Sequence, residues 1–301
     1  MPSFRSGRSQ AEHAVAGLTA IGQARHGSND NRVHSLGTAR AYRQALASLA
    51  CWLRDERQGS LRDVDRDTVM RYLDGRAADV RQPTLDQDRQ ACQALLGVRL
   101  PRIKSELESV VTSRSYTSEQ LAMIRAAQSP RHAIATELAE CCGLRAHEML
   151  TLRRIDEQEP SSHRSWDPRM HSFRQGVQFV ITGKGGLRRT CLVEHSLALR
   201  VEALRLDTPQ TFVDRGICYE SYYAYNGKPI GGQSWSASFS AASQRALGGW
   251  SHGGHGCRHT YTQTRVSELQ GRGYSFEDAC AVVSQELGHF RASIVKEVYL
   301  R

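Results

Sequence analysis

The stretch HGGHGCRHTYTQT, residues 252–264, decides how the rest of the chain is read. On a helix, His255 and Arg258 share a face three residues apart while His259 points elsewhere. His255 and His259 also have the i, i+4 spacing of helical zinc ligands. The glutamate of an HExxH site is missing, however, no Cys or Asp stands suitably nearby, and His252 does not complete the set. A metal-dependent hydrolase using His252, His255, His259 and His289 is therefore the weakest of the readings. The histidine and arginine pair has to be read with its neighbours along the chain.

Upstream lies CCGLRAHEMLTLRR, residues 141–154, where Gly143 ends an apolar helix and Arg145 emerges with Glu148 three residues on. Alone, the two read as a surface ion pair of little worth. Between the two stretches runs VQFVITGKGGLRRTCLV, two β-rich segments joined by Gly183-Lys184-Gly185-Gly186, a hairpin that puts Lys184 on its tip. Downstream, helical patterning over 275–287 closes at Gly288, followed by His289 and, ten residues later, Tyr299. Taken singly, Tyr299 is the core-packing aromatic of a last helix.

The N-terminal half has a different texture. Residues 1–35 mix Gly, Ser, Asn and Arg and read as a flexible basic arm with at most one weak helix. From Thr38, Tyr42, Ala45, Leu46, Leu49, Trp52 and Leu53 form one apolar stripe, with Arg40 and Arg43 on the other side. A second helix starts at Asp65 and closes at Gly75, a third is capped by Thr84 after Pro83, and a short fourth spans about 103–110. The polar run VVTSRSY, 110–116, marks a boundary, after which Thr117 and Gln120 form a capping box. The organisation is thus an arm at 1–35, a helical domain at 36–111 and a mixed domain at 117–301, with 154–175 as loop. Forty Lys plus Arg against thirty-one Asp plus Glu give a net charge of +9, mostly arginine, which points to a polyanionic partner. No apolar run approaches a membrane span and no secretory h-region is present, so the expected address is cytoplasmic. Eight scattered cysteines without a CxxC pair read as reduced thiols.

The order of these elements resembles that of the tyrosine recombinases, the phage-integrase family. Gly143, Leu144, Arg145 and Glu148 match its G-L-R-x-x-E box; His255, Arg258, His259 and Thr260 match H-x-x-R-H-T; Leu287, Gly288, His289 and Tyr299 match L-G-H followed by tyrosine. The resemblance covers about 117–301 by motif and the helical domain by architecture. It implies a mainly α (α+β) fold: an N-terminal helical core-binding bundle, then a catalytic domain of helices with a small antiparallel sheet. It also implies a bacterial, DNA-associated site-specific recombinase or integrase, of a mobile element, that needs neither metal nor cofactor. Arg145 and Arg258 would clamp the phosphate, His289 would donate to it, and Tyr299 would attack phosphorus to give a 3′-phosphotyrosyl link. Lys184 would protonate the leaving 5′ oxygen, His255 would act as base or orient the phenol, and Glu148 would hold Arg145. Arg40, Arg43, Arg188 and Arg189 would contact double-stranded DNA. A DNA-bound homotetramer and accessory DNA-bending or directionality factors belong to the same expectation. The alternative within the fold is a catalytically silent DNA-binding relative.

Three departures carry expectations of their own. Ten residues separate His289 from Tyr299 where nine is usual, which calls for a bulge or a shifted helix start. The span from Arg258 to His289 is longer than usual, with the excess in SELQGRGYSFED, and Cys257 stands where leucine is general. Only two residues follow Tyr299, so protomers would dock through surfaces such as 154–175 or the arm, or assemble weakly.

Overall fold

The computed structural model describes residues 6–21, 32–108 and 112–300. The chain divides into two compact units, 1–110 and 111–301.

The first unit is helical: α1 (Gly7–Leu18), α2 (Leu36–Asp55), α3 (Arg66–Asp79) and α4 (Gln82–Leu96). The stripe read on α2 is its core face, with Leu46, Leu49 and Leu53 fully buried alongside Val69, Leu73 and Leu85 from the next two helices. Asp65 caps α3 by accepting from Thr68 N at 2.8 Å. Four details differ from the sequence reading. Residues 7–18 are not a loose arm but a helix capped by Ser6, with Ala11 and Val15 buried in this core; the remainder of that arm falls partly on 1–5 and 22–31, outside the described residues. Gly75 does not end α3, because the helix runs on to bury Ala77. Pro83 sits inside the first turn of α4, where its missing N–H costs nothing, so Arg81 rather than Thr84 is the cap position. Residues 101–108 are not helical, and 109–110 lie outside the described residues; the Gln82 side chain of α4 holds this stretch, Oε1 accepting from Ser105 N at 2.8 Å and Nε2 donating to Ile103 O at 3.0 Å.

The second unit begins with α5 (Ser118–Ala126), whose capping box forms with Gln120 N on Thr117 Oγ1 at 3.2 Å and Thr117 N on Gln120 Oε1 at 2.9 Å. Helix α6 (Pro130–Cys142), a short 3₁₀ turn (Glu148–Thr151) and β1 (Arg153–Arg154) follow. Strands β2 (Val177–Thr182) and β3 (Arg188–Val193) pair antiparallel in the register Val177↔Val193 to Thr182↔Arg188, and β1 adds at the edge. Then come α7 (His195–Glu202), the strands β4 (Arg205–Asp214), β5 (Ile217–Tyr225) and β6 (Lys228–Pro229), and helices α8 (Gly232–Ala246), α9 (His255–Gly271), α10 (Phe276–Glu286) and α11 (Ala292–Ile294). The long β4–β5 ribbon was not visible in the sequence pattern. A π-helical turn, Val295–Tyr299, is the last element and is followed by Leu300.

Two cores form here. Leu138, Phe179, Ile181, Tyr223, Trp235 and Phe239 pack α6, the sheet and α8 together, while Leu269, Val283, Leu287, Val295 and Tyr299 join α9, α10 and the final turn. A buried polar network fastens the second core: Arg265 of α9 binds the Glu286 carboxylate at 3.1 Å, Tyr261 Oη donates to it at 2.8 Å, and so does the main-chain N–H of His171 at 2.8 Å. The last of these comes from 154–175, which therefore lies fixed as a series of turns, with Asp167 N donating to Gln285 Oε1 at 2.8 Å. No helix among the described residues is long and apolar enough to cross a membrane.

Candidate active site

Helix α6 ends at Gly143 in the left-handed region, φ 60°. Side chains are excluded there twice over, since a Cβ would lie 2.8 Å from the Tyr261 ring and 2.9 Å from Leu287. This sharp exit turns Leu144 into the core and leaves Arg145 at the rim. Glu148, fully buried, takes the Arg145 main-chain N–H on Oε2 at 2.8 Å and its Nη1 on Oε1 at 2.6 Å. Arg189 Nη2 reaches the same carboxylate at 3.2 Å and Arg258 Nη1 stands 3.7 Å away. Burial works to raise the Glu148 pKa, but the three guanidiniums of Arg189, Arg258 and Arg145 outweigh it and hold the carboxyl at about 2. Three cations against one anion leave the cluster with an excess of positive charge.

Arg258, on the first turn of α9, is fully buried. Its Nη1 donates to Gly143 O at 2.6 Å and its Nη2 to Leu287 O, so the guanidinium is gripped by the carbonyl ends of α6 and α10, the negative poles of both helices. Burial pulls its pKa down to about 10, which leaves it charged at neutral pH. The fork then faces two further groups: Nε donates to Tyr299 Oη at 3.1 Å, and Nη2 lies 3.2 Å from His289 Nε2.

His289 stands where the guanidiniums meet. Its Nε2 is 3.3 Å from Arg145 Nη2 as well as 3.2 Å from Arg258 Nη2, and 3.3 Å from Tyr299 Oη. Guanidinium nitrogens only donate, so Nε2 must offer its lone pair and the ring is neutral with its proton on Nδ1. Burial first, then the charges of Arg258 and Arg145, lower this histidine to about 3. In effect Nε2 occupies the acceptor position for which a phosphate oxygen is suited. Gly288 and Phe290 both have positive φ, 75° and 57°, and Trp166 and Arg164 pack on the Phe290 ring at 5.0 and 5.2 Å, so 154–175 braces the turn that carries His289.

Tyr299 is 3% exposed and packs in the α9–α10 core, yet its hydroxyl lies in the arginine cluster. The extra residue between His289 and Tyr299 is absorbed by the π turn, which takes one more residue per turn than α geometry. His255 flanks the phenol with ring centres 5.9 Å apart, and desolvation with the neighbouring Arg258 charge holds it below the ordinary histidine range.

The sequence-derived set thus separates. Arg145, Glu148, Arg258, His289, Tyr299 and His255 come together. Lys184 sits exposed at the β2–β3 tip with no ion pair among the described residues, but the hairpin's neck touches the cluster, a Cβ on Gly183 lying 3.3 Å from Glu148 Oε1. Arg188 is exposed on β3, and Arg40 and Arg43 are exposed on α2 of the first unit. Arg189 is not a surface DNA contact: it is 1% exposed and holds Glu148 from beneath. Strand alternation carried that signal, since Arg189 is in phase with the buried Cys191 and Val193. His259 does not point away either; its ring packs on Tyr299 with centres 4.8 Å apart, and burial with Arg114 lowers its pKa to about 4. Among the described residues no group of three His, Cys, Asp or Glu is placed to hold a metal ion, and two guanidiniums beside His289 Nε2 oppose a cation there.

No family profile matches the chain, and no curated protein sequence does. Solved structures do. The XerH site-specific recombinase bound to difH substrate in a pre-cleavage complex matches with TM-score 0.57 at 11% identity, over 98% of this chain and 93% of that one. A lambda integrase (75–356) dimer bound to a COC′ core site matches with TM-score 0.58 at 14% identity, over 97% and 94%. The Tn1549 transposon integrase in complex with circular intermediate DNA matches with TM-score 0.51 at 13% identity, over 99% and 96%. The chain has the tyrosine-recombinase fold.

Proposed function

We propose that this protein is a site-specific DNA recombinase that cleaves and rejoins duplex DNA through a 3′-phosphotyrosyl intermediate. The observation that carries the proposal is the convergence of Arg145, Arg258 and the Tyr299 hydroxyl on His289 Nε2, each within hydrogen-bond distance of it, with Arg258 also donating to the phenol. A phosphodiester gains negative charge as phosphorus becomes five-coordinate, and fixed guanidiniums in a buried setting stabilise that charge without reorganising. The scissile phosphate displaces the His289 lone pair from the two arginines, and the ring, once it takes up a solvent proton on Nε2, serves the phosphate as a donor. Tyr299 Oη attacks phosphorus, its proton passes to the His255 imidazole while His289 is engaged with the phosphate, and the P–O5′ bond breaks with the 5′ oxygen protonated by Lys184 swinging in from the hairpin tip. In the DNA-free protein the imidazole in reach of the phenol is His289, at 3.3 Å, with His255 alongside. Bond energy stays in the phosphotyrosine, so a DNA hydroxyl reverses the step without a metal or cofactor.

The helical first unit, with Arg40 and Arg43 exposed on α2, would act as the core-binding domain, and Arg188 would contact the backbone near the site. Solved relatives are bound to DNA as dimers or tetramers; a DNA-bound tetramer, accessory factors and a mobile-element origin are extended to this chain as part of the proposal. The test is a nicked duplex bearing the site, incubated with protein and run on a denaturing gel. A covalent protein–DNA band that survives EDTA and disappears in Tyr299→Phe is expected. DNA binding without any adduct would instead make the chain a silent binder of the same fold, and an adduct retained by Tyr299→Phe would refute the assigned nucleophile.

A further inference from the structure

Beyond the arginine cluster, Tyr299 is held at a second point. Its main-chain oxygen, at the frayed end of the π turn where helical carbonyls lack partners, accepts from Gln263 Nε2 at 2.9 Å. The same nitrogen donates its other hydrogen to Ser113 Oγ at 3.2 Å. A carbonyl only accepts, so the amide orientation is fixed by chemistry: nitrogen, not oxygen, faces Tyr299.

Ser113 stands near the start of the second unit, where 113–116 runs zipped along α9. Gly256, Thr260 and Gln263, at i, i+4 and i+7, form the track. A Cβ on Gly256 would strike the Tyr116 ring at 2.2 Å and Arg114 O at 2.6 Å, so only glycine admits the segment. Thr260 Oγ1 accepts from Tyr116 N at 2.8 Å, and Tyr116 Oη accepts from His252 N at 2.7 Å. One helix thus presents Arg258 to the phenol, His259 to its ring, and Gln263 to its main chain.

We propose that Gln263 is a positioning residue for Tyr299, aimed by Ser113, so that the seating of 113–116 on α9 sets how firmly the nucleophile is docked. The proposal rests on Tyr299 being the nucleophile. Two measurements on the full chain test it. In single-turnover cleavage of the nicked duplex, Gln263→Ala lowers the rate about tenfold with unchanged affinity for DNA. Gln263→Glu, equal in size but turning a carboxylate oxygen on the carbonyl, lowers it further, and Ser113→Ala less. In the DNA-free protein, hydrogen exchange at amides 296–300 accelerates in Gln263→Ala at an unchanged global melting temperature. Wild-type cleavage rates in both Gln263 variants overturn the proposal while leaving the nucleophile in place. Unaltered exchange at 296–300 overturns it whether or not the chain cleaves DNA, and cleavage by Tyr299→Phe removes the nucleophile reading itself.

Discussion

Arg258 meets Gly143 O, Leu287 O, His289 and Tyr299 at once, a task for a planar fork with five N–H groups and not for a point charge. Arg258→Lys is therefore expected to slow adduct formation by about 10²–10³, the scale seen when one preorganised donor is lost, with DNA affinity nearly kept. A rate within about threefold of wild type would remove the clamp from the mechanism. The adjacent arginines on β3 make a sharper contrast. Arg188→Ala should weaken DNA binding and flatten its salt dependence, because an exposed phosphate contact releases counterions. Arg189→Met should leave the salt dependence alone and reduce cleavage, since it deprives Glu148 of a partner that steadies the Arg145 side. Of the site, the motif residues were legible because they recur in a fixed order. The burial of Arg189 and the packing of the motif residue His259 on Tyr299 were not, because a basic residue reads as surface until alternation on the strand or the facing aromatic is taken into account.

The π turn decides whether the terminal tyrosine can serve. Its extra residue answers the ten-residue spacing, and Glu297, exposed within it, is dispensable on this view. Deleting Glu297 should restore α geometry and keep cleavage within about tenfold of wild type, while inserting a further residue beside it should rotate the phenol away and abolish the adduct. Loss of cleavage in the deletion with cleavage kept in the insertion would show that the turn has another role. At this scale the sequence was informative where periodicity and caps agree, as for α2, α5 and the β2–β3 hairpin. It was silent on the β4–β5 ribbon, because β4 is exposed along most of its length without apolar alternation, although β5 buries Tyr223 and Ala224. It also misjudged 101–108, where the Gln82 side chain ties down the main chain of a non-helical segment.

For the whole molecule, the buried histidines set the response to acid. His132 and His259 are held at about 4 and His289 at about 3, each pushed down chiefly by burial. Their folded pKa values lie below the unfolded value near ~6.5, so the folded state binds fewer protons and stability is complete above that pH. It is lost progressively as pH falls through about 6.5 towards 4, and Glu148, held at about 2, adds a further loss below its unfolded value near ~4.3. Melting temperatures measured from pH 7.5 to 5 should decline, and His289→Gln should flatten part of that slope. A flat profile would mean that these rings are protonated in the fold.

The central claim is that two arginines distant in sequence, a histidine and the Tyr299 phenol share one DNA phosphate. The most direct measurement is a structure of the protein on a nicked duplex with vanadate in place of the scissile phosphate. The account predicts vanadium bonded to Tyr299 Oη, with equatorial oxygens held by Arg145, Arg258 and His289. Vanadate bound away from Tyr299, or the two guanidiniums on different phosphates, would contradict it.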